Sequence, residues 1–172
     1  MILPVELKFY ESIKDDLKVV FDVGCRGDNP FHKYGAEAHQ FDPLDKGEHL
    51  GIFNQVALSD RIGESKFHVA YSSMYERPHL DESEIITVPT DTVDNYCSVN
   101  GISHIDLLKI DTEGNDYKVL LGARQMLPKI KWVQFEHWSD ELVANVEELL
   151  KGWDIKCIGG KPPIGIAKNP SL

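Results

Sequence analysis

Ile105-Asp-Leu-Leu-Lys-Ile-Asp-Thr-Glu-Gly114 is the stretch that decides the fold of this chain. The run Ile105 to Ile110 is apolar enough to read as a strand buried on both faces. It ends in two carboxylates, Asp111 and Glu113, and Gly114 closes it. In open α/β sheets ligands bind outside the carboxyl ends of the strands, so an acid pair there marks a candidate site. Two earlier stretches end the same way, Lys18-Val-Val-Phe-Asp-Val-Gly24 and Ala38-His-Gln-Phe-Asp42.

Outward from that segment, strands and helices alternate. Glu6 to Asp16 reads as a short helix ahead of the first strand, Lys18 to Val23. Gly24 to Gly35 is polar and rich in turn formers, which predicts a turn with at most one or two helical turns. Ala38 to Phe41 reads as a second strand and Ile52 to Leu58 as a third. Lys66 to Ala70 and Glu84 to Val88 alternate like two antiparallel strands beside the main sheet. Thr90 to Val99 has helical spacing, with Thr90 or Asp91 as its cap and Asn100-Gly101 as its stop. Beyond the Ile105 strand, Asp116 to Leu127 predicts a helix and Trp132 to Glu136 a strand. Ser139 caps a helix running to Leu150, and Trp153 to Ile158 with Ile164 to Ala167 make a terminal hairpin. This order predicts an α/β fold of the kind shared by dinucleotide-binding dehydrogenases and class I methyltransferases. Its Rossmann-like, mainly parallel sheet carries helices on both faces, a shortened first helix and an antiparallel C-terminal hairpin. A single domain over residues 1–172 accommodates it.

Asp and Glu number 28 against 18 Lys and Arg, a formal net charge of −10. That argues against a protein that wraps nucleic-acid backbone, whose affinity rests on cations neutralising phosphates. The expected partner is a small or neutral molecule, with no nucleic acid beyond one held by a local patch. Cys25, Cys97 and Cys157 are odd in number and widely spaced, so a reducing, cytoplasmic setting is expected. The first residues lack a basic region followed by an apolar core, and no run approaches the ~18–20 apolar residues of a membrane span. No histidine pair has ligand spacing, so no metal site is expected. One loophole is Mg²⁺ shared by Asp111 and Glu136.

The first loop separates two chemistries that such a sheet supports. A dinucleotide-binding dehydrogenase wants G-x-G-x-x-G, so that backbone reaches a pyrophosphate. Here Asp22-Val-Gly24-Cys-Arg-Gly27 puts Arg26 at the middle glycine, with little helix to receive a phosphate. S-adenosyl-L-methionine has no phosphate and needs one close backbone approach for its amino-acid tail. Asp42, 18 residues past Gly24, ends the second strand, where a carboxylate accepts from both ribose hydroxyls of either cofactor. Each feature also has a plain structural reading. Gly24 and Gly27 make a tight turn, Asp42-Pro43 another, and Asp111 to Gly114 cap a helix starting at Asn115. His137 reads more simply as an ordinary histidine, and Trp132, Trp138 and Trp153 as core or sheet cover. Arg26 serves either a local salt bridge or the cofactor carboxylate.

The segment Ile105-Asp-Leu-Leu-Lys-Ile-Asp-Thr-Glu-Gly-Asn-Asp-Tyr-Lys-Val-Leu-Leu-Gly-Ala123 resembles the hallmark of the FkbM family of S-adenosylmethionine-dependent methyltransferases. Supporting stretches occur in family order: Val20-Phe-Asp-Val-Gly24, Phe41-Asp-Pro43, Val56-Ala-Leu-Ser-Asp60, Gly63-Glu-Ser-Lys-Phe67, Thr90-Asp-Thr-Val-Asp94 and Val133-Gln-Phe-Glu-His137. The resemblance implies an O-methyltransferase acting on a hydroxyl, with a sugar or glycan as the expected acceptor. It implies that Asp22, Gly24, Cys25, Arg26 and Gly27 face the cofactor's amino-acid tail. It places Asp42 and Pro43 at the ribose, Ala57, Leu58 and Ser59 at the adenine, and Asp111 near the sulfonium. Asp111, Glu113 and His137 are the candidate bases, because an alcohol is a poor nucleophile until its proton is taken. Tyr71, Ser72, Ser73, Tyr75, His137 and Trp138 are candidate acceptor-pocket residues. Three departures stand out: a shortened first helix, Cys25-Arg26 where the family has Ala-Asn, and Asp42 where Glu is common. Two alternatives stand beside this reading: a degenerate methyltransferase fold that binds without turnover, and an NAD-type oxidoreductase, which Arg26 and the missing helix disfavour.

Overall fold

The computed structural model describes residues 2–25, 30–45, 47, 49–69, 74, 84–136, 139–159 and 163–172. Helix α1 (Pro4–Ile13) leads into β1 (Val19–Val23), β2 (Glu37–Phe41), β3 (Ile52–Asn54), β4 (Ala57–Leu58), β5 (Gly63–His68) and β6 (Ile85–Asp91). Helix α2 (Val93–Asn100), strand β7 (Ile105–Ile110), helix α3 (Asp116–Leu121) and strand β8 (Ile130–Glu136) follow. Helix α4 (Asp140–Leu149) and strands β9 (Asp154–Ile158) and β10 (Ile164–Lys168) complete the order.

Seven strands form one sheet in the order β3-β2-β1-β7-β8-β10-β9. β3, β2, β1, β7 and β8 run parallel, and β10 lies antiparallel to both β8 and β9. The strand order reverses between β1 and β7, the switch point at which an open α/β sheet forms its crevice. The alternation of side chains explains the two helical layers. Phe21, Val23, Leu108 and Ile110 join a core that includes Tyr96 and Cys97 of α2, Val119 and Leu120 of α3, and Val146 of α4. Val20 and Leu107 face the other way, into a core with Tyr10 and Ile13 of α1 and with Phe31. After Gly24, the described helical structure before β2 is a 3-10 stretch, Pro30–Tyr34, in keeping with the shortened first helix.

Three elements differ from the sequence expectation. Ile52 to Leu58 is not one strand: β3 stays on the edge of the large sheet, while β4 joins a second sheet in the order β4-β6-β5. The Asn54 amide donates to the carbonyls of Gln40 and Ile52 at 3.2 and 3.0 Å, a local competition that ends β3. The cap of α2 is Thr92, whose hydroxyl accepts from the Asn95 amide at 3.1 Å, because Thr90 and Asp91 are taken into β6. Helix α3 stops at Leu121 instead of Leu127. Asp94 of α2 accepts from the Gln125 and Met126 amides at 3.0 and 2.9 Å and turns the chain early.

Candidate functional site

A cleft with about 330 Å³ of empty space opens at the switch point. The ends of β1 and β2 supply Val23, Gly24, Phe41, Asp42 and Pro43. The second sheet supplies Ala57, Leu58 and Phe67, with Met74 beside them, and the segment after β7 supplies Thr112 and Asn115. Ala57 and Phe67 pack with Val88 into a small apolar cluster, so one wall is oily and the opposite rim carries an acid. Asn115 ties the walls together: its amide donates to the Leu58 carbonyl at 3.1 Å.

Gly24 is where backbone comes closest to backbone. Its φ is +80°, and a Cβ built there would lie 1.9 Å from the Asp111 carbonyl oxygen. Its N–H donates to the Phe41 carbonyl at 2.8 Å, and the Asp111 N–H donates to Val23 at 2.9 Å. The turn therefore locks the ends of β1, β2 and β7 into one corner. Asp42 is buried, and one of its carboxylate oxygens accepts from the Leu44 amide at 2.8 Å. The turn reading of Asp42-Pro43 thus holds alongside its place in the cleft.

The loop after β7 is built on a buried carboxylate. Asp116 accepts from the Thr112 amide at 3.1 Å, from the Thr112 hydroxyl, and from the Glu136 amide at 2.9 Å. Burial pushes its carboxyl up to about 6, against the downward pull of those bonds. Glu113, between the two cleft residues Thr112 and Asn115, sits at φ +55°, a strained left-handed conformation for a non-glycine residue. The cap expected here is absent in that form. Asn115 occupies the cap position of α3 without a side-chain cap bond, and Glu113 lies before the helix.

Beneath the corner lies a buried ion pair. Lys109 Nζ donates to Asp22 Oδ1 at 2.8 Å and stands 3.9 Å from Asp111 Oδ2. Burial works against the lysine charge, but Asp22 and Asp111 outweigh it and hold its pKa well above the ordinary value. Glu6 of α1 extends the network, accepting from Tyr10 at 3.2 Å and from Gln134 at 2.6 Å.

Residues 31–154 match the model of the methyltransferase FkbM domain, most of the sheet described above. The chain belongs to the FkbM methyltransferase family. A curated relative, 2-O-methyltransferase NoeI of Sinorhizobium fredii, is 26% identical over 157 aligned residues. That alignment covers 72% of this chain and 65% of NoeI. Among solved structures, methyltransferase FkbM from Methylobacillus flagellatus KT superposes with a TM-score of 0.61 at 11% identity. It matches 90% of this chain, which spans 44% of that one. A Plasmodium falciparum structure described as a ribosomal RNA methyltransferase has a TM-score of 0.50 at 13% identity and covers 97% of both chains. These two structures show the fold. The family match begins after β1, so the Gly24 turn stands on its own geometry.

Of the residues expected around the cofactor, Gly24, Asp42, Pro43, Ala57 and Leu58 line the cleft. Asp22, Cys25 and Ser59 are buried and are not among the lining residues; Asp22 turns to Lys109, and the Ser59 hydroxyl donates to Asp60 at 3.2 Å. Asp111 is half-buried, its backbone carbonyl packs on Gly24, and it too is not among the lining residues. Arg26, Gly27, His137, Trp138 and the acceptor-loop residues Tyr71, Ser72, Ser73 and Tyr75 lie outside the described residues. Phe67, Met74, Lys109, Thr112, Asn115 and Asp116 escaped the sequence reading of the site. Among the described residues, no cluster of three or more His, Cys, Asp or Glu has metal-holding geometry, and no helix is long and apolar enough to cross a membrane.

Proposed function

We propose that this chain is an S-adenosyl-L-methionine-dependent O-methyltransferase acting on a sugar hydroxyl. The observation that carries the reading is the Gly24–Asp42–Leu58 cleft at the topological switch of an FkbM-family sheet. The donor set fits the cofactor. The apolar wall of Ala57, Leu58 and Phe67 suits an adenine face, and the buried acid Asp42 suits a ribose diol. Gly24 lines the cleft and lets the turn after β1 pack on the Asp111 backbone, and the Asp111 carboxylate brings negative charge to that corner for a cationic ligand. Bound there, S-adenosylmethionine supplies an electrophilic methyl group.

The remaining work falls to the chain itself. Methyl transfer is an in-line displacement, so holding an acceptor hydroxyl in line contributes most. A base at the ends of β7 and β8 then takes the hydroxyl proton. Glu113 is the favoured base of the three candidates Asp111, Glu113 and His137. Strained backbone persists at functional sites because the surrounding structure over-determines it, and here the bonds of Asp116 to Thr112 and Glu136 supply that support. The 2-O-methyltransferase activity in the name of NoeI supports the hydroxyl acceptor.

Calorimetry with S-adenosylhomocysteine and with NAD tests the cofactor, and transfer of labelled methyl to carbohydrates tests turnover. Binding of S-adenosylhomocysteine together with labelled sugar is the expected result. Binding without transfer to any acceptor returns the degenerate-fold alternative, which the short 3-10 stretch after Gly24 favours.

A further inference from the structure

Gln40, Asp22, Lys109 and Gln134 occupy matching registers on four adjacent strands and form a polar row across the sheet. All four are buried, in the middle of a sheet whose neighbouring rows are apolar apart from His39 on β2. The exposures divide sharply along the ion cluster. The Asp22 and Lys109 side chains are 1% and 6% exposed, while Asp111 keeps 35%. One ammonium therefore lies between a carboxylate sealed in the sheet and a partly exposed carboxylate on the residue whose backbone packs against Gly24.

We propose that Lys109 is a positioning residue for the cofactor, orienting the Asp111 carboxylate toward the ligand's cationic end, and that Asp22 acts through Lys109 without touching the ligand. The proposal rests on the adenosylmethionine reading above. Asp111 follows Lys109 by two residues, so the strand period keeps both on one side of β7. Asp22 fixes the ammonium from below at 2.8 Å, and the longer 3.9 Å separation on the Asp111 side is a charge contact that steers one carboxylate oxygen inward. The other oxygen is left to face a cation. Without Lys109, two carboxylates would face one another with no cation between them, and like charges at such range repel. The ion pair thus keeps the Asp111 carboxylate aimed, a role that apolar packing at position 109 would not supply.

Removing Lys109 alone strands a buried carboxylate, so the test uses paired replacements of the kind that keep a fold when a buried ion pair is exchanged for neutral groups. Asp22→Asn/Lys109→Met is the first pair and Asp22→Leu/Lys109→Met the second, for use where the first melts early. Binding of S-adenosylmethionine and S-adenosylhomocysteine is measured by calorimetry, each with and without Asp111→Asn, beside a thermal melt of every variant. In the otherwise wild-type protein, Asp111→Asn weakens binding about tenfold, the scale of a lost bond to a charged group. In a folded paired variant, affinity is already down by a similar factor, and adding Asp111→Asn changes it by less than about twofold, the mark of two changes acting on one interaction. An unreduced Asp111→Asn penalty in the paired background overturns the proposal and leaves Lys109 a purely structural residue. So does Asp111→Asn having no effect in the wild-type protein, or failure of both pairs to fold, which would make the ion pair essential to the sheet itself. Wild-type protein that binds neither ligand overturns the cofactor reading first, and the proposal with it.

Discussion

Single carboxyl groups decide most of the chemistry here, and three of them make separable predictions. Asp42 serves a turn and a cleft at once. Asp42→Asn keeps an acceptor for the Leu44 amide, whereas Asp42→Ala removes it. Both are expected to weaken S-adenosylhomocysteine binding more than tenfold, since bonds to a charged acceptor contribute ~1.5–3 kcal/mol each. Only the alanine variant should also lose turn stability; unchanged affinity in folded Asp42→Asn would leave Asp42 a turn residue alone. Glu113 differs because its backbone is strained. Glu113→Gly should match or exceed wild-type stability by up to about 1 kcal/mol in urea melts, as relief of a left-handed conformation predicts. Glu113→Gln should lower turnover by ~10²-fold with cofactor affinity kept; full activity would remove it as the base. Asp116, pushed up to about 6 by burial, couples folding to pH. The native state holds its proton more tightly than an unfolded chain with a carboxyl near ~3.9. Its stabilising contribution is therefore complete below about pH 4 and is lost as pH rises through about 6. Relative to Asp116→Asn, the wild-type protein should lose on the order of 2–3 kcal/mol between about pH 4 and pH 7. A difference that stays flat in melts across that range refutes the assignment. The sequence made Asp42, Asp111 and Glu113 legible because each follows an apolar run. Lys109 was passed over, although a cation inside a run expected to be buried is a signal that could have marked it. Its partner Asp22 lies 87 residues away, and nothing in a linear pattern says which two strands become neighbours.

Elements carry the second scale, and the corner where β1 and β7 end is a close contact of backbone on backbone. Gly24→Ala asks the strands to part. The added Cβ falls 1.9 Å from the Asp111 carbonyl oxygen at a φ of +80°. Overpacking and a forced left-handed alanine together should cost roughly 3 kcal/mol or more. Calorimetric binding of S-adenosylhomocysteine should vanish in whatever fraction remains folded. A variant that melts like the wild type would mean that the corner opens freely and is not a fixed cradle. Hydrophobic periodicity was enough to find β1, β2, β7, β8 and the final hairpin, because each is a buried run bounded by turn formers. It failed at Ile52 to Leu58, where apolar residues flank Asn54-Gln55 and Asn54 side-chain bonds to the backbone break the strand. It failed again in α3, whose end is set by Asp94 on another helix. Both misses share a cause: side-chain bonds to backbone overrule the apolar pattern. The small sheet had a further consequence, since Phe67 lines the cleft only after β5 folds over the strand ends.

At the scale of the whole molecule, charge separates acceptors that the fold does not. The same architecture superposes on an FkbM methyltransferase and on a structure described as a ribosomal RNA methyltransferase, so shape alone leaves sugar and RNA equally open. A net charge of −10 disfavours a polyanion through long-range repulsion. The local arrangement points the same way. Lys14, Lys131 and Lys156 are paired with Glu11, Asp16 and Asp154, and Lys109 is buried against Asp22. Cations held in this way are poorly placed to track a phosphate backbone, whose binding depends on releasing counterions to several Lys and Arg at once. A neutral or nucleotide-linked sugar asks for less: one oriented hydroxyl and a base within hydrogen-bond reach. Labelled S-adenosylmethionine offered with oligosaccharides, sugar nucleotides and RNA should therefore place label in the carbohydrate fraction. Raising ionic strength should change transfer to a neutral sugar little, because screening acts on charges that such an acceptor lacks. Label found in RNA and in no carbohydrate, with a steep decline as salt is added, would show that a local patch overrides the global charge and would reverse the acceptor assignment.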